Sequence, residues 1–296
     1  MHWLGLTLVS AVCLGLYDVS KKAALRENPV LTVLLLSTLS GLVLLLLELA
    51  LGAGLGGGVR FRLEPLNAWQ HGLVVAKSMI VTASWVCTFL AIKHLPLSLA
   101  TPIRATAPLF TVLGALVLFG ERPVGLQWLG IAVVLAAYLA FSAIGRAEGI
   151  AFRSDRWVGF LFLGTLIGSG SGLYDKYLLQ EVALPPFTLQ FWFTLYGAIL
   201  QAALVLGFAR WRGSLAPIEL RWWIVWIGCL LVVADQFYFQ AVASHGALIS
   251  VVSVVRRSNV VVSFALGAFL FRERLLRQKA LALAGVLLGL LLLLRN

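Results

Sequence analysis

Apolar segments of a length that can cross a membrane recur along the whole chain, and they constrain its fold more than any other feature. A transmembrane helix needs about 20 consecutive apolar residues. Hydrophobic residues make up 61% of the 296 positions and charged residues 12%, whereas ordinary globular domains carry about 25% charge. The sequence therefore predicts an all-α integral membrane protein that crosses the bilayer many times.

We predict ten transmembrane helices, joined by connections too short to hold a soluble domain. Their expected bounds are 2–24, 29–51, 69–91, 96–118, 124–145, 157–180, 186–209, 222–243, 247–270 and 278–294. The first segment is not expected to be a cleavable signal peptide, because its lysines, Lys21 and Lys22, follow the apolar run instead of preceding it.

The tetrapeptide GLYD occurs at 15–18 and again at 172–175, at an offset of 157 residues. Unlike residue types match in the same order around both copies and beyond them. The matches are Thr7, Ala11 and Gly15 with Gly164, Gly168 and Gly172; Pro29, Thr32, Thr38, Leu39 and Gly41 with Pro185, Thr188, Thr194, Leu195 and Gly197; and Arg104, Phe119, Glu121 and Arg122 with Arg256, Phe271, Glu273 and Arg274. The chain is therefore predicted to contain an internal duplication. The small residues before each GLYD predict close helix contacts.

Each copy holds five predicted spans, so the second copy must cross the membrane in the opposite direction. The predicted units are a first five-helix repeat at 1–146, a connecting loop at 147–156 and an inverted second repeat at 157–296. Inverted repeats are typical of secondary transporters, in which the substrate binds near the bilayer midplane between the halves.

Lysines and arginines are concentrated in alternate connections, mostly in the second half and the central loop. Basic connections favour the cytoplasmic side. This bias predicts a multi-pass protein of the cell inner (plasma) membrane with both termini outside.

Lys77, Arg104, Arg256, Arg257 and Asp235 lie deep inside predicted spans. A charge at the bilayer centre costs about 2.5–3.5 kcal/mol on insertion scales, so such residues usually face a polar interior and mark functional sites. Structural salt bridges that fix helix register are the alternative for any one of them. With more deep cations than anions, an anionic or zwitterionic substrate is favoured, because the guanidinium fork suits carboxylate and phosphate.

The spacing also predicts partners. Asp235 and Arg256 lie at similar distances on either side of the turn at 244–245, which predicts an ion pair between them. Arg104 has Trp85 where the other half has Asp235, so the neutralisation of Arg104 within its own half is less obvious. Lys77 has no symmetric counterpart in the other half.

Further candidates complete the predicted site. Asn259 belongs to the sequence RRSN (256–259), and Trp85 is deep enough to line a pocket, although packing alone also explains it. Pro102 and Pro108 flank Arg104 and predict a broken or kinked helix there. The predicted substrate-binding residues are Arg104, Arg256, Lys77, Asp235, Arg257, Asn259 and Trp85.

Tyr17, Asp18, Tyr174 and Asp175 from the two GLYD copies are candidates for gating or proton coupling. Because the repeat is inverted, the two pairs should lie toward opposite faces of the membrane. The alternative is that both only pack, with the aspartates bonded to helix ends or to nearby lysines.

Several function classes are disfavoured. The four histidines are scattered, the three cysteines have no CxxC spacing, and no Walker motif or nucleophile–base pair occurs, so neither a metal, a cofactor nor an enzyme is expected. The net charge of +11 is accounted for by connections and deep cations, so no nucleic-acid partner is expected. Expected partners are a small-molecule substrate, protons and membrane lipids, and a monomer is possible.

The sequences GER (120–122) and RER (272–274), and the segment from Ala91 to Gly130, resemble the EamA-like family of the drug/metabolite transporter superfamily. The resemblance extends over both repeats. It implies a secondary transporter with a central cavity built from spans one, three, four, six, eight and nine. Small relatives in the superfamily move lipid-linked sugars, so a flippase or translocase of a lipid or lipid-linked sugar is the alternative. The chain departs from the family at Arg272, where glycine is usual, and at VVRRSN (254–259).

Overall fold

The computed structural model describes residues 2–54, 62–107, 109–110, 125–147, 155–214, 217–244, 252, 255–271 and 275–293. Most residues in these ranges are helical, and no strand occurs in them. This confirms the all-α prediction for the described part of the chain. Pro108, the GER sequence and the RER sequence lie outside it.

The helices follow one another with short connections. The first half contains α1 (His2–Leu25), α2 (Val30–Gly54), α3 (Ala68–His94), α4 (Leu97–Ala105) and α5 (Gly125–Ala147). The second half contains α6 (Arg156–Lys176), which continues into a π-helical turn (Tyr177–Glu181), then α7 (Pro186–Arg212), α8 (Trp222–Ala243), α9 (Asn259–Phe271) and α10 (Leu276–Leu293).

Six helices of the described residues are long and apolar enough to cross a membrane. They are α1, α2, α3, α7, α8 and the helix formed by α6 with its π-helical turn. The protein is therefore a multi-pass helical membrane protein. The count of ten spans stays a prediction, as do the two inverted repeats.

Local sequence explains where several helices begin and end. Asn67 and Gln70 form a capping box at the start of α3, with side chain to backbone distances of 2.9 and 3.0 Å. Pro96 and Pro185 are the N-cap residues of α4 and α7, and Pro186 is the first residue of α7, positions at which no helical hydrogen bond from a backbone N–H is lost. Gly213 ends α7 with φ of +78°, a conformation that favours glycine.

The helices pack in pairs that mostly join one half to the other. Helix α1 packs on α8 and α9, while α6 packs on α3 and α4. Helix α2 packs on α8 and α7, while α3 also packs on α7. The remaining major contacts join α5 to α10 and α4 to α9.

Small residues permit the closest of these contacts. A Cβ on Gly15 would lie 2.5 Å from Val262 of α9, and one on Gly164 would lie 2.7 Å from Thr88 of α3. The predicted close contacts are therefore present at these two glycines. At Gly172 the prediction is wrong, because nothing lies within 4 Å of the corresponding position.

Candidate functional site

Helix α4 is interrupted one residue after Arg104. It ends at Ala105, and the backbone N–H of Thr106 donates to the carbonyl of Ile103 at 3.1 Å instead of continuing the α-helix. The Thr106 hydroxyl donates to the same carbonyl at 2.6 Å. Such short-range hydroxyl bonds compete with the helical pattern. Arg104 therefore lies at a helix break, as the flanking prolines predicted.

A matching interruption occurs in the second half. The N–H of Ser258 donates to the carbonyl of Val255 at 3.1 Å, and its hydroxyl donates to that carbonyl at 2.7 Å. Ser258 follows Arg256 by two residues, as Thr106 follows Arg104. Arg257 and Ser258 form a turn, after which α9 begins. Both central arginines are thus presented by broken helices.

Asp18 of α1 is the centre of one ion network. Its carboxylate accepts from Arg104 at 2.6 Å, from Lys21 at 2.7 Å and from the side-chain amide of Asn259 at 3.1 Å. Asp18 and Lys21 are both 1% exposed, and the Lys21 ammonium lies 4.1 Å from the Tyr17 ring. Arg104, whose partner the sequence left open, is therefore neutralised within its own half.

Asp235 and Arg256 form the ion pair that their spacing predicts. The guanidinium of Arg256 also donates to the hydroxyl of Ser10 at 3.1 Å and lies 3.9 Å from the Tyr238 ring. Ser10 in turn donates to the backbone carbonyl of Ala234 at 2.7 Å. Arg256 is consequently oriented by α1 of the first half and by α8 of the second.

Lys77 and Asp175 form a third ion pair, which joins α3 to α6. Lys77 is 2% exposed, and its ammonium lies 4.9 Å from the Phe193 ring and 5.4 Å from the Phe239 ring. Lys77 has no symmetric counterpart in the repeat, and the structure supplies its ion-pair partner from the opposite half. Tyr174, beside Asp175, donates its hydroxyl to the carbonyl of Leu73 at 3.1 Å.

Arg257 differs from the other deep cations. It is half-buried and makes no ion pair with any carboxylate in the described part of the chain. The three ion networks already contain four cations and only three carboxylates. Arg257 therefore adds a second surplus positive charge to a region that already carries one.

Trp85 lies at the edge of a recess between α2, α3, α7 and α8, and Asp235 also lines it. The Trp85 ring contacts Phe193 edge to face, with ring centroids 5.8 Å apart. Every predicted site residue is thus among the described residues, and Asp235 belongs both to this recess and to an ion pair.

Other polar contributors were not among the sequence candidates. Lys21 follows Asp18 by three residues, a helical spacing that could have indicated their contact. Thr106 could have been found from the repeat, because it matches Ser258 at the same offset as the arginines. Ser10 and Gln190 gave no such signal, since each is an isolated polar residue in an apolar run.

A separate polar cluster lies at the end of the bundle where α1 terminates. The Asn28 side chain donates to the carbonyl of Glu219 at 2.9 Å and accepts from the N–H of that residue at 2.7 Å. Lys93 donates to the Asn28 carbonyl at 2.8 Å. Hydrogen bonds to Glu219 and to Glu27 raise the pKa of Arg221 at this surface. The cluster fastens the two halves together at this end.

Residues 1–143 match the EamA-like transporter family. The matched residues are 143 of 296, just under half of the chain, so the match shows a similarity to that family. Members of this family are transporters and not enzymes, in agreement with the resemblance that GER and the surrounding segment predicted. The match extends over the first half of the chain, which contains Asp18, Lys77 and Arg104.

The chain is also similar to two curated solute carriers. It is 30% identical to solute carrier family 35 member E4 of Rattus norvegicus over 238 residues, and 29% identical to the Homo sapiens protein over 233 residues. Each alignment covers 77% of the chain and 63% of the carrier, so the chain spans less than two thirds of their length. It is also 27% identical to the inner membrane transporter YedA of Escherichia coli strain K12, over 42% of the chain and 38% of YedA.

A solved crystal structure shares the fold of this chain. The two superimpose with a TM-score of 0.61 at 19% sequence identity, over 97% of each chain. At this identity the likeness establishes the arrangement of the helices and nothing about the substrate.

Proposed function

We propose that the protein is a secondary active transporter of a small polar metabolite that carries an anionic group, alone or as part of a zwitterion. It would be an exporter or exchanger that works by alternating access between two inverted five-helix halves. The observation that carries this proposal is Arg257, a half-buried cation without a carboxylate partner in the described residues, which adjoins Arg256 at a helix break.

The symmetry of the helix contacts supports the inverted repeat. Exchanging α1 with α6, α2 with α7, α3 with α8, α4 with α9 and α5 with α10 leaves the major contacts unchanged. For example, α1 on α8 becomes α6 on α3, and α2 on α8 becomes α7 on α3. The matched hydroxyl bonds of Thr106 and Ser258 follow the same relation.

The charged side chains are contributed by the spans that the family resemblance assigns to a central cavity. Asp18, Lys77 and Arg104 come from α1, α3 and α4, while Asp175 and Asp235 come from α6 and α8. The arginine pair precedes α9. Ligand sites at interrupted helices between repeats are a recurrent transporter design.

An excess of positive charge supports an anionic ligand group. A carboxylate or phosphate at Arg257 would form two charge-assisted hydrogen bonds in the guanidinium fork. It would also offset surplus charge that is costly to hold inside a membrane.

The two GLYD copies support alternating gates. Asp18 ties α1 to α4 and to Asn259 of the opposite half, about 10 Å from the end of α1 at 1.5 Å per residue. Asp175 joins α6 to α3 near the C-terminal end of α6. Because the second half is inverted, this end of α6 would lie toward the opposite face of the membrane from the end of α1. Rupture of each pair would loosen one end, and protonation of either aspartate offers a route for proton coupling.

Uptake into proteoliposomes tests the proposal. A panel of small carboxylates, phosphates and amino acids is offered to wild-type protein and to the Arg257→Gln variant. Loss of a charged hydrogen-bond partner costs about 1.5–3 kcal/mol, and each 1.4 kcal/mol is tenfold. We therefore expect roughly a 10- to 100-fold lower rate for the transported anion.

Arg210→Gln is the matched control, because Arg210 is exposed at the end of α7. It should retain the wild-type rate. Equal rates for wild-type and Arg257→Gln proteins would contradict the site, and no uptake of any panel member would contradict the anion transporter. Mass spectrometry of molecules that copurify with the protein would then show whether a lipid takes the place of the metabolite.

A further inference from the structure

A polar recess lies beside the arginine site, between α2, α3, α7 and α8. The polar side chains that line it are those of Ser37, Thr38, Gln190, Thr194 and Asp235, and the ring of Trp85 forms part of the wall. Thr38 and Thr194 are equivalent residues of the sequence repeat. Both halves thus contribute the same hydroxyl to one recess, which places it where the halves meet.

Gln190 provides the recess with an acceptor that has no partner. Its amide nitrogen donates to the carbonyl of Val232 at 2.8 Å, which fixes the amide plane. Its carbonyl oxygen Oε1 is buried and accepts no hydrogen bond from any described residue, and the residue is only 1% exposed. Buried acceptors are usually satisfied by protein or ordered water, so an acceptor left unpaired beside a recess favours a group there that can donate a hydrogen bond.

Asp235 connects this recess to the arginines. Its carboxylate lines the recess and also binds Arg256, which precedes Arg257 in the chain. The recess and the arginine pair are thus joined through Asp235.

The charges of the surroundings determine which donor fits. The carboxylate of Asp235 is already paired with Arg256, and the nearby cations outnumber the carboxylates. An ammonium group in the recess would add a further positive charge without a free anion to offset it. A neutral hydroxyl group supplies the donor that Gln190 lacks without adding charge, and its oxygen can accept from the hydroxyl of Thr194. The hydroxyl of Thr38 already donates to the carbonyl of Leu34 at 3.0 Å.

The size of the recess limits what it can hold. The space in the recess that a water-sized group can occupy is about 20 Å³. By this measure about 10–15 Å³ holds one water molecule. The recess therefore admits a single hydroxyl group.

From these observations we propose that the recess around Gln190 is a subsite for one hydroxyl group of a small hydroxylated anion, such as a polyol phosphate or a hydroxy acid. This inference rests on the proposed function, because it places the anionic group of the same molecule at Arg257. It assigns discrimination between hydroxylated and plain anions to Gln190, Thr38 and Thr194.

Equilibrium binding to the purified protein tests the subsite with matched probes. Glycerol 3-phosphate is compared with n-propyl phosphate, which lacks the hydroxyls, and with 3-aminopropyl phosphate, which carries an ammonium. Glycerate, propionate and 3-aminopropionate form the equivalent carboxylate set. For at least one set, we expect the hydroxylated probe to bind about tenfold more tightly than the other two.

The variants separate the subsite from the anion site. Gln190→Leu should abolish the preference for the hydroxylated probe while leaving the affinity for the plain anion unchanged. Gln201→Leu is the control, because Gln201 is a buried glutamine of the same helix that does not line the recess, although its amide is also unpaired among the described residues. It should keep the wild-type preference. If Gln190→Leu does not fold, Thr194→Val is expected to reduce the preference.

Equal affinities for hydroxylated and plain anions in the wild type would overturn the subsite but leave the proposed function standing. Tighter binding of the ammonium probe would also overturn it. Failure of every anionic probe to bind would contradict the proposed function itself, together with this inference.

Discussion

At the scale of single residues, the buried aspartates differ in the number of cations that they bind. Asp18 accepts from two cations, Arg104 and Lys21, whereas Asp175 accepts from Lys77 alone among the described residues. Breaking a buried ion pair by removing one partner typically costs about 3–5 kcal/mol, because the other charge is left uncompensated. Loss of either carboxylate should therefore weaken the helix contacts that it holds, and not merely alter a local charge.

Neutral amides at the two aspartates test whether they act as gates. A cysteine placed at Thr194, in a protein without its three native cysteines, reports access to the recess from either side of a sealed vesicle. Asp18→Asn and Asp175→Asn are expected to increase labelling by an impermeant maleimide from opposite sides, severalfold in each case. Labelling from the same side in both variants would reject the gates.

The control for this experiment is Glu48→Gln. Glu48 lies in α2 and is hydrogen-bonded to Gln236, outside the networks of both aspartates. It should leave the labelling pattern unchanged. If Asp18→Asn and Asp175→Asn also leave labelling and transport unchanged, the two aspartates only pack, which is the alternative that their positions beside lysines suggested.

At the scale of helices, the contact between α2 and α8 depends on one glycine. A Cβ on Gly228 would lie 2.0 Å from the carbonyl oxygen of Ser37 and 2.1 Å from the hydroxyl oxygen of Ser40. No real Cβ comes this close to a backbone atom, so the helices would have to separate. The helix pair also borders the recess, since Ser37 and Gly228 both line it.

Gly228→Ala should therefore destabilise the protein. Overpacking of a well-packed contact costs about 1–3 kcal/mol, and we expect a lower midpoint of thermal unfolding in detergent. Gly72→Ala is the matched control in α3, because nothing lies within 4 Å of its Cβ position. It should be neutral or stabilising by up to about 1 kcal/mol, since alanine favours helices. An unchanged midpoint for Gly228→Ala would show that α2 and α8 are not held this closely.

At the scale of the whole molecule, the two halves are interleaved instead of lying side by side. Helix α1 packs chiefly on α8, and α6 chiefly on α3, so each half supplies the neighbours of the other. An ion pair, Lys77 with Asp175, and a hydrogen bond, Asn259 with Asp18, also cross between them. Movement of one half against the other must therefore exchange polar contacts at the centre.

The orientation of the whole molecule is a separate prediction from the basic connections. In a protein without native cysteines, Trp211→Cys lies at the end of α7 and Glu181→Cys at the end of the π-helical turn, and both native side chains are exposed. With both termini outside, an impermeant maleimide added to intact cells should label position 181 and spare position 211. The reverse pattern would place the termini inside, and lysed cells, in which both positions react, provide the control.

The sequence by itself determined the elements of this protein. Long apolar runs predict membrane helices because a bilayer leaves backbone groups no other partners. The charges Arg104, Arg256, Lys77 and Asp235 were identified because a charged side chain inside the bilayer is costly. Asp235 and Arg256 lie at equal distances from one turn, which predicted their ion pair. These inferences need only local geometry.

The tertiary structure determined the contacts between residues that lie far apart in the sequence. Lys77 and Asp175 are 98 residues apart, and Ser10 and Arg256 are 246 residues apart, so no periodicity relates them. Likewise, the unpaired oxygen of Gln190 follows only from the packing of α7 against α2, α3 and α8. Helix rotation and neighbour choice follow from the packing of whole surfaces, in which many weak contacts are summed. The sequence thus determined where charge enters the membrane, and the fold determined which charges remain for a ligand.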